Sequence, residues 1–163
     1  MKGELVFRPL LRSKQQIGTE ECIRILKDQK RGVLSMIGDD GYPYGIPLNH
    51  LYCEEDGHIY FHCGKEGHKL DAIAKCDKVS YCVHDEGTRI EGQWPLHFRS
   101  VVVFGRMHIV DDPDRMRDIC IKLTKKFTDD EGYLNMEMEY AFHRVLCLEL
   151  VPEHISGKRV TES

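Results

Sequence analysis

Long apolar stretches are missing from this chain: the longest purely aliphatic or aromatic run is Val101–Phe104, four residues, whereas a membrane-crossing helix needs about 20. The segment from Leu5 to Leu11 is interrupted by Arg8 and Pro9 and so lacks the apolar centre of a secretory signal. A soluble, cytoplasmic protein with no membrane partner is expected. No Cys-x-x-Cys occurs, and the seven cysteines (Cys22, Cys53, Cys63, Cys76, Cys82, Cys120, Cys147) are odd in number and widely spaced. That pattern suits reduced thiols, most of them small buried hydrophobes, better than a disulfide frame or a zinc ribbon. Positive charge is not in excess: 23 Lys and Arg against 27 Asp and Glu give −4, with both signs mixed along the chain. A grip on nucleic-acid phosphates needs clustered cations, so a nucleic-acid partner is not expected. The P-loop, Gly-x-Gly-x-x-Gly after a strand, Gly-x-Ser-x-Gly and His-Glu-x-x-His are all absent, which removes the usual flags of four large enzyme classes.

What is present is an ordinary globular composition. The 163 residues are 41% hydrophobic, with six Phe, seven Tyr and one Trp, enough for one core. With no internal repeat, no low-complexity tract and no Pro/Gly-rich linker, a single domain over 1–163 is expected, residues 1–18 forming an irregular lead-in. Thr19 is the expected N-cap of a helix to about Lys30, with Glu20 and Glu21 where the helix dipole favours negative charge. Gly32–Ile37 and Tyr44–Tyr52 read as a hairpin around Asp39-Asp40-Gly41, the second strand marked as an edge or bulged strand by Pro43 and Pro47. Gly57–Cys63 is a third strand, Leu70, Ile73 and Ala74 recur at helical spacing, and Val79–His84 returns to strand composition. Beyond a polar loop, Arg99–Val110 is the longest strand candidate. Asp112-Pro113 then opens the clearest helix, with Met116, Ile119, Cys120, Leu123 and Phe127 on one face. A weaker segment around Glu137–Phe142 precedes a last strand, Arg144–Val151.

Six strands joined mostly by short turns, with helices inserted at three places, predict a mainly β protein: a six-stranded antiparallel barrel or sandwich with flanking helices. Even eight strands barely admit a small ligand. A large ligand is therefore expected outside the barrel, in a groove or between subunits.

Chemistry concentrates between Gly41 and Asp71, where His50, His58, His62 and His68 lie close to Lys65 and Lys69. His58 and His62 share a strand face and can be joined by His68 and Cys63 around a metal, but the spacing is unspecific, and histidines hydrogen-bonded on a strand give the same pattern. Cys63 beside a histidine can likewise be a nucleophile or a packed thiol. In Gly64-Lys65-Glu66-Gly67-His68-Lys69, two glycines let backbone N–H groups approach an anion, Lys69 supplies a charge, and a helix beginning near His68 points its positive end there. Phosphate binding and an ordinary solvated turn are both compatible with these residues.

The ordered set RGVLS (31–35), GYPYGIPLN (41–49), IYFHC (59–63), EGHKLD (66–71) and SVVVFGRMHIVDD (100–112) resembles the flavin-binding split-barrel superfamily. Within it, the nearest branch is the pyridoxamine 5'-phosphate oxidase-like one that includes the nitroimidazole-resistance proteins. The resemblance runs from about Phe7 to Lys158. It implies a homodimer with FMN in the grooves between subunits and Pro47, Leu48 and Asn49 along the isoalloxazine. It also implies phosphate and ribityl contacts from His62, Cys63, His68 and Lys69, with His68 near the flavin ring as the catalytic residue. Arg99, Ser100 and Lys158 are further cofactor neighbours on the same ground, and no metal is implied. The implied activity is an FMN-dependent oxidoreductase passing electrons from NADH or NADPH to a small flat acceptor such as a nitroaromatic. A non-catalytic flavin- or heme-binding protein, acting as sensor, store or interaction module, is the alternative. Oxidases acting on pyridoxamine phosphate carry an arginine-rich substrate grip and an Arg-x-x-Pro ending, neither of which stands here. The loop 87–97, with Arg89, Trp94 and His97, has no assigned counterpart.

Overall fold

Alternating burial along each strand sets the architecture. In Arg31–Ile37 (β2) the residues Gly32, Leu34 and Met36 are buried between exposed or half-buried neighbours, and in Lys78–His84 (β6) the same holds for Val79, Tyr81 and Val83. A computed structural model of the chain describes residues 7–162, so residues 1–6 of the expected lead-in lie outside the described part. In chain order the remaining elements are β1 (Gln16–Ile17), α1 (Thr19–Asp28), β3 (Pro43–Asn49), β4 (Leu51–Tyr52), β5 (Ile59–Cys63), α2 (His68–Lys75), β7 (Leu96–Val110), α3 (Pro113–Lys125), α4 (Glu131–Tyr140) and β8 (Leu146–Glu162).

All pairings are antiparallel, in the order β3-β2-β6-β7-β8-β5-β4, with β1 added to β8. The two ends of this path, β3 and β4, are successive pieces of one segment divided at His50. Its first half pairs with β2 and its second with β5, so the segment draws both ends of the sheet together and curls it into a split barrel. The expected six strands are thus present, and the break at His50 plus the short β1 raise the number to eight. Pro43 and Pro47 have no N–H to offer a second neighbour, and β3 pairs on one side only.

The interior is filled by Leu34, Met36, Phe61, Tyr81, Val83, Val101, Val103, Met107, Leu148 and Leu150, and α1 closes one side with Cys22, Ile25 and Leu26. A second cluster lies on the outer face of β5 and β8. There Tyr60 and Cys147 meet Ile119 and Cys120 of α3, with Met138 of α4 packed against them.

Three elements depart from expectation. Gly18, with no side-chain bond, is the N-cap of α1 in place of Thr19, which is already the first helical residue. A full helix occupies Glu131–Tyr140, earlier than the weak segment read from the sequence; Asp130 caps it by accepting from the Tyr133 N–H at 3.0 Å. The last strand runs on to Glu162, through Pro152, because a bulge between Phe104 and Gly105 of β7 admits the proline opposite Gly105.

Candidate functional site

The β2–β3 hairpin turns on Asp40 and Gly41, both at positive φ (55° and 76°), and presents β3 as an edge. Along it Tyr44, Ile46 and Leu48 pack toward the barrel core, while Pro47 is exposed on the opposite face. Asn49, at the end of the strand, accepts at Oδ1 from Arg31 Nε at 2.9 Å, which leaves its amide N–H₂ to donate elsewhere. The Leu48 carbonyl is taken by the Tyr81 hydroxyl at 2.9 Å. The kink at His50 is fixed from inside. Its Nε2 lies 2.6 Å from the Leu26 carbonyl and its Nδ1 2.8 Å from the Tyr81 hydroxyl, and burial, aided by the Lys126 charge, pushes its pKa down to about 4. Lys126 Nζ donates to the Gln29 and His50 carbonyls and is itself lowered by burial to about 8.

β4 and β5 are in register Leu51↔Tyr60 and Tyr52↔Ile59, and β5 continues to His62 and Cys63, opposite Cys147 and Leu146 of β8. His62 keeps an open outer surface, yet the chain packed around it displaces enough water to push its pKa down. Glu137 of α4 opposes the shift and Lys69 adds to it. Burial raises the Cys63 thiol, against the lowering effect of Lys69. Lys69 is therefore close enough to act on both. α2 begins just beyond, after Gly67 at φ 133°, and no side chain caps its first turn. The leading N–H groups of that helix have no intrahelical acceptor, and Lys69 belongs to this first turn. His68 turns the other way along β3. Its ring stacks on Tyr44, centroids 4.1 Å apart and planes at 21°, with Nε2 3.7 Å from an Asp39 oxygen. Asp39 is held below the usual carboxylate range by Lys75 first, then His68.

His62, Cys63 and Lys69 thus lie together at the end of β5 and start of α2, while His68 lies apart from them against Tyr44 of β3, the edge that also carries Pro47, Leu48 and Asn49. Ser100 and Lys158 lie elsewhere. They face each other across β7 and β8, and His84 pairs with Ser100 from β6. This is the outer face of the sheet, shared with Val33, Pro47 and Cys82, where a cleft of about 500 Å³ lies between the α1–β2 junction and His84. Arg99 is tied by Asp85 (Nε to Oδ2, 2.8 Å) and by Glu21 (a terminal nitrogen to Oε1, 3.0 Å), so two carboxylates already neutralise and orient it. Trp94 stands 88% exposed in the loop between β6 and β7, whose last expected residues, Leu96 and His97, already belong to β7. On the far face, Asp56, His58 and Glu149 converge closely enough for a cation, but Arg115 supplies the positive charge there, bonded to Glu149 at 2.6 Å and to the Tyr60 hydroxyl. Sequence reasoning missed Tyr44 and Arg31, the residues that position His68 and Asn49. Both lie inside the RGVLS and GYPYGIPLN stretches, but their contacts come from the pairing of β2 with β3 and the placement of α2, which the motifs do not show.

A curled antiparallel sheet with this edge-and-helix arrangement defines the class, a split barrel of the pyridoxamine 5'-phosphate oxidase-like superfamily. The chain matches the pyridoxamine 5'-phosphate oxidase family model over residues 18–159 and belongs to that family. Among solved structures it is similar to a candidate 5-nitroimidazole antibiotic resistance protein from Bacteroides thetaiotaomicron, with TM-score 0.76, 18% identity and coverage of 90% of this chain and 87% of that one. It is also similar to a FAD-binding protein from Mesorhizobium loti (TM-score 0.63, 23% identity, 90% and 97% covered). A third is a FAD- and heme-binding protein from Mycobacterium smegmatis (0.68, 18%, 88% and 72%). No curated protein matches the chain.

Proposed function

We propose that the chain is a flavin-binding protein, with FMN as its cofactor, and that it works as a homodimer transferring electrons from a reduced nicotinamide to a small flat acceptor of the nitroaromatic kind. The observation that carries this reading is the convergence of Lys69, the uncapped first turn of α2, His62 and Cys63 beside the free edge of β3. That set fits a phosphomonoester: amide N–H groups and an ammonium are what a phosphate needs. Asn49, its oxygen already engaged by Arg31, has two N–H donors for a ring carbonyl or nitrogen, and Pro47 offers an apolar surface. When bound, the flavin supplies two-electron and one-electron chemistry, and the protein supplies its placement. Pairing of two chains rests on the outer sheet face, where Val33, Ile37 and Phe104 are exposed on the same side as Pro47; apolar surface of this kind marks an interaction site.

The proton-donor role belongs, in this proposal, to His68, whose ring is fixed by the stack on Tyr44 with Nε2 3.7 Å from an Asp39 oxygen. His68 is stacked on Tyr44 of β3, whereas His62 stands on β5 within reach of Lys69 and Glu137, so the two are separable. A His68→Ala variant with full cofactor content is expected to lose about tenfold or more in turnover, the usual scale of general acid catalysis being 10²–10⁴; unchanged turnover would pass the role to His62.

The first experiment is an absorbance spectrum of the freshly purified protein, followed by release and chromatography of the ligand. Flavin bands with FMN near one per chain, and oxidation of NADH or NADPH that depends on an added nitroaromatic, are the expected results. A colourless protein that takes up no added FMN would overturn the reading, and a heme spectrum would replace the cofactor.

A further inference from the structure

Outside the candidate site, two of the seven thiols touch. Cys120 of α3 and Cys147 of β8, 27 residues apart in sequence, have their sulfurs 3.7 Å from each other in the second apolar cluster. Among the described residues this is the one hydrogen-bonded contact between two sulfurs. We propose that Cys120 and Cys147 are a redox-active dithiol, a modification site at which a peroxide closes a disulfide between α3 and the barrel.

The two sulfurs approach from a helix and a strand that already face each other. Forming a bond of about 2.05 Å requires them to close by roughly 1.7 Å, within reach of side-chain rotation and a small helix shift. The pair is asymmetric. Cys120 is 7% exposed and Cys147 not at all, so an oxidant meets Cys120 first. Cys120 is also the easier of the two to ionise, because the contact with the Cys147 sulfur and the nearby Arg117 both favour its thiolate. The same contact, with burial, raises Cys147. A Cys120 thiolate attacks one peroxide oxygen, the O–O bond breaks, and a sulfenic acid and hydroxide result. Cys147 then attacks that sulfur, the S–S bond forms and the sulfenic oxygen leaves as water. The sum is two thiols plus one peroxide giving one disulfide and two waters, with two electrons passing from sulfur to oxygen. A dithiol reductant reverses it by exchange.

The bond would join α3 to β8 two residues from Glu149, where Arg115 already holds the same helix. It would also enclose α4, whose Glu137 acts on His62. Oxidation therefore fixes the helical layer bordering the candidate site, and the proposal stands whether or not a flavin binds there.

The test is peptide mapping of the intact protein after a short exposure to hydrogen peroxide, alkylation and tryptic digestion without reductant. Tryptic peptides 118–122 and 145–158 each contain one cysteine. The expected result is that alkylatable thiols fall from seven to five, these two peptides migrate as one cross-linked species, and dithiothreitol restores both. Cys120→Ser should abolish the cross-link, and if that variant does not fold, the mapping of the unaltered chain still decides. Seven thiols remaining, a sulfinic acid on peptide 118–122 without a cross-link, or pairing of either peptide with a different cysteine would overturn it.

Discussion

His50 is a buried polar side chain with every ring nitrogen engaged, and it governs how the molecule responds to acid. Its folded pKa of about 4 lies below the ordinary 6.5 because burial penalises the imidazolium. Between those values the unfolded chain binds a proton that the folded chain refuses, so stability falls as pH drops from about 6.5 toward 4. The full loss is on the order of 3 kcal/mol. The lowered pKa of His62 acts in the same direction, whereas carboxylates such as Asp85 and Glu149, held below their usual range, contribute only at the acid end of the window. Urea unfolding at pH 7 and pH 5 should therefore show lower stability at pH 5. In His50→Gln, which keeps a donor and an acceptor, the difference should shrink; equal pH dependence in both proteins would remove His50 as the cause. Nothing in the residues around His50 announces this role, because its partners, Leu26 and Tyr81, come from distant positions. The cluster of histidines was legible, but its division into a buried kink at His50, a His58 hydrogen-bonded to Glu149 and an accessible pair at His62 and His68 depends on tertiary neighbours.

Elements with one clean apolar stripe were the ones readable from sequence. α3 illustrates this: Asp112 accepts from the Asp114 N–H, Pro113 takes the first turn, and Ile119, Cys120 and Leu123 are buried at the expected spacing. α4 has no such stripe. Leu134 and Met138 turn inward while Tyr133, Met136 and Tyr140 remain exposed, so apolar residues lie on both faces and the periodicity cancels. The second half of β8 was hidden by Pro152 and Gly157, which read as breakers but have specific places. The bulge accommodates Pro152, and Gly157 lies against Cys22 and Ile17. Gly105, the other side of that bulge, is the sharpest constraint on the β7–β8 crossing. A Cβ there would overlap the Val151 carbonyl, a backbone atom that cannot swing aside. Gly105→Ala should lower stability by about 2–3 kcal/mol or prevent folding. A denaturation midpoint within error of the parent would mean that the bulge yields more readily than its geometry implies.

At the scale of the whole molecule the question is what covers the outer sheet face. Val33 is 44% exposed, Ile37 48% and Phe104 39%, on a sheet whose inner face is fully packed. The strand count alone placed a large ligand outside the barrel, and the resemblance supplied the second chain. Neither located the face, because a strand pattern does not say which of two alternating sides meets solvent and which meets a partner. The register does: Pro47, Val33 and Cys82 lie in one transverse row across β3, β2 and β6, next to the edge that carries the candidate site. If a second copy covers this face, the protein should sediment at about twice 18.9 kDa. Val33→Glu, which sets a charge in the middle of an apolar contact, should shift it toward the monomer, since burying an unpaired carboxylate is costly. Because the grooves lie between subunits in this proposal, the same variant should lose bound flavin in step with the dimer, read as the ratio of flavin to protein absorbance across the sedimentation boundary. A dimer unaffected by Val33→Glu would move the interface to another surface, and a monomer that retains its flavin would place the cofactor within one chain, leaving Lys69 and the first turn of α2 to hold it without a partner.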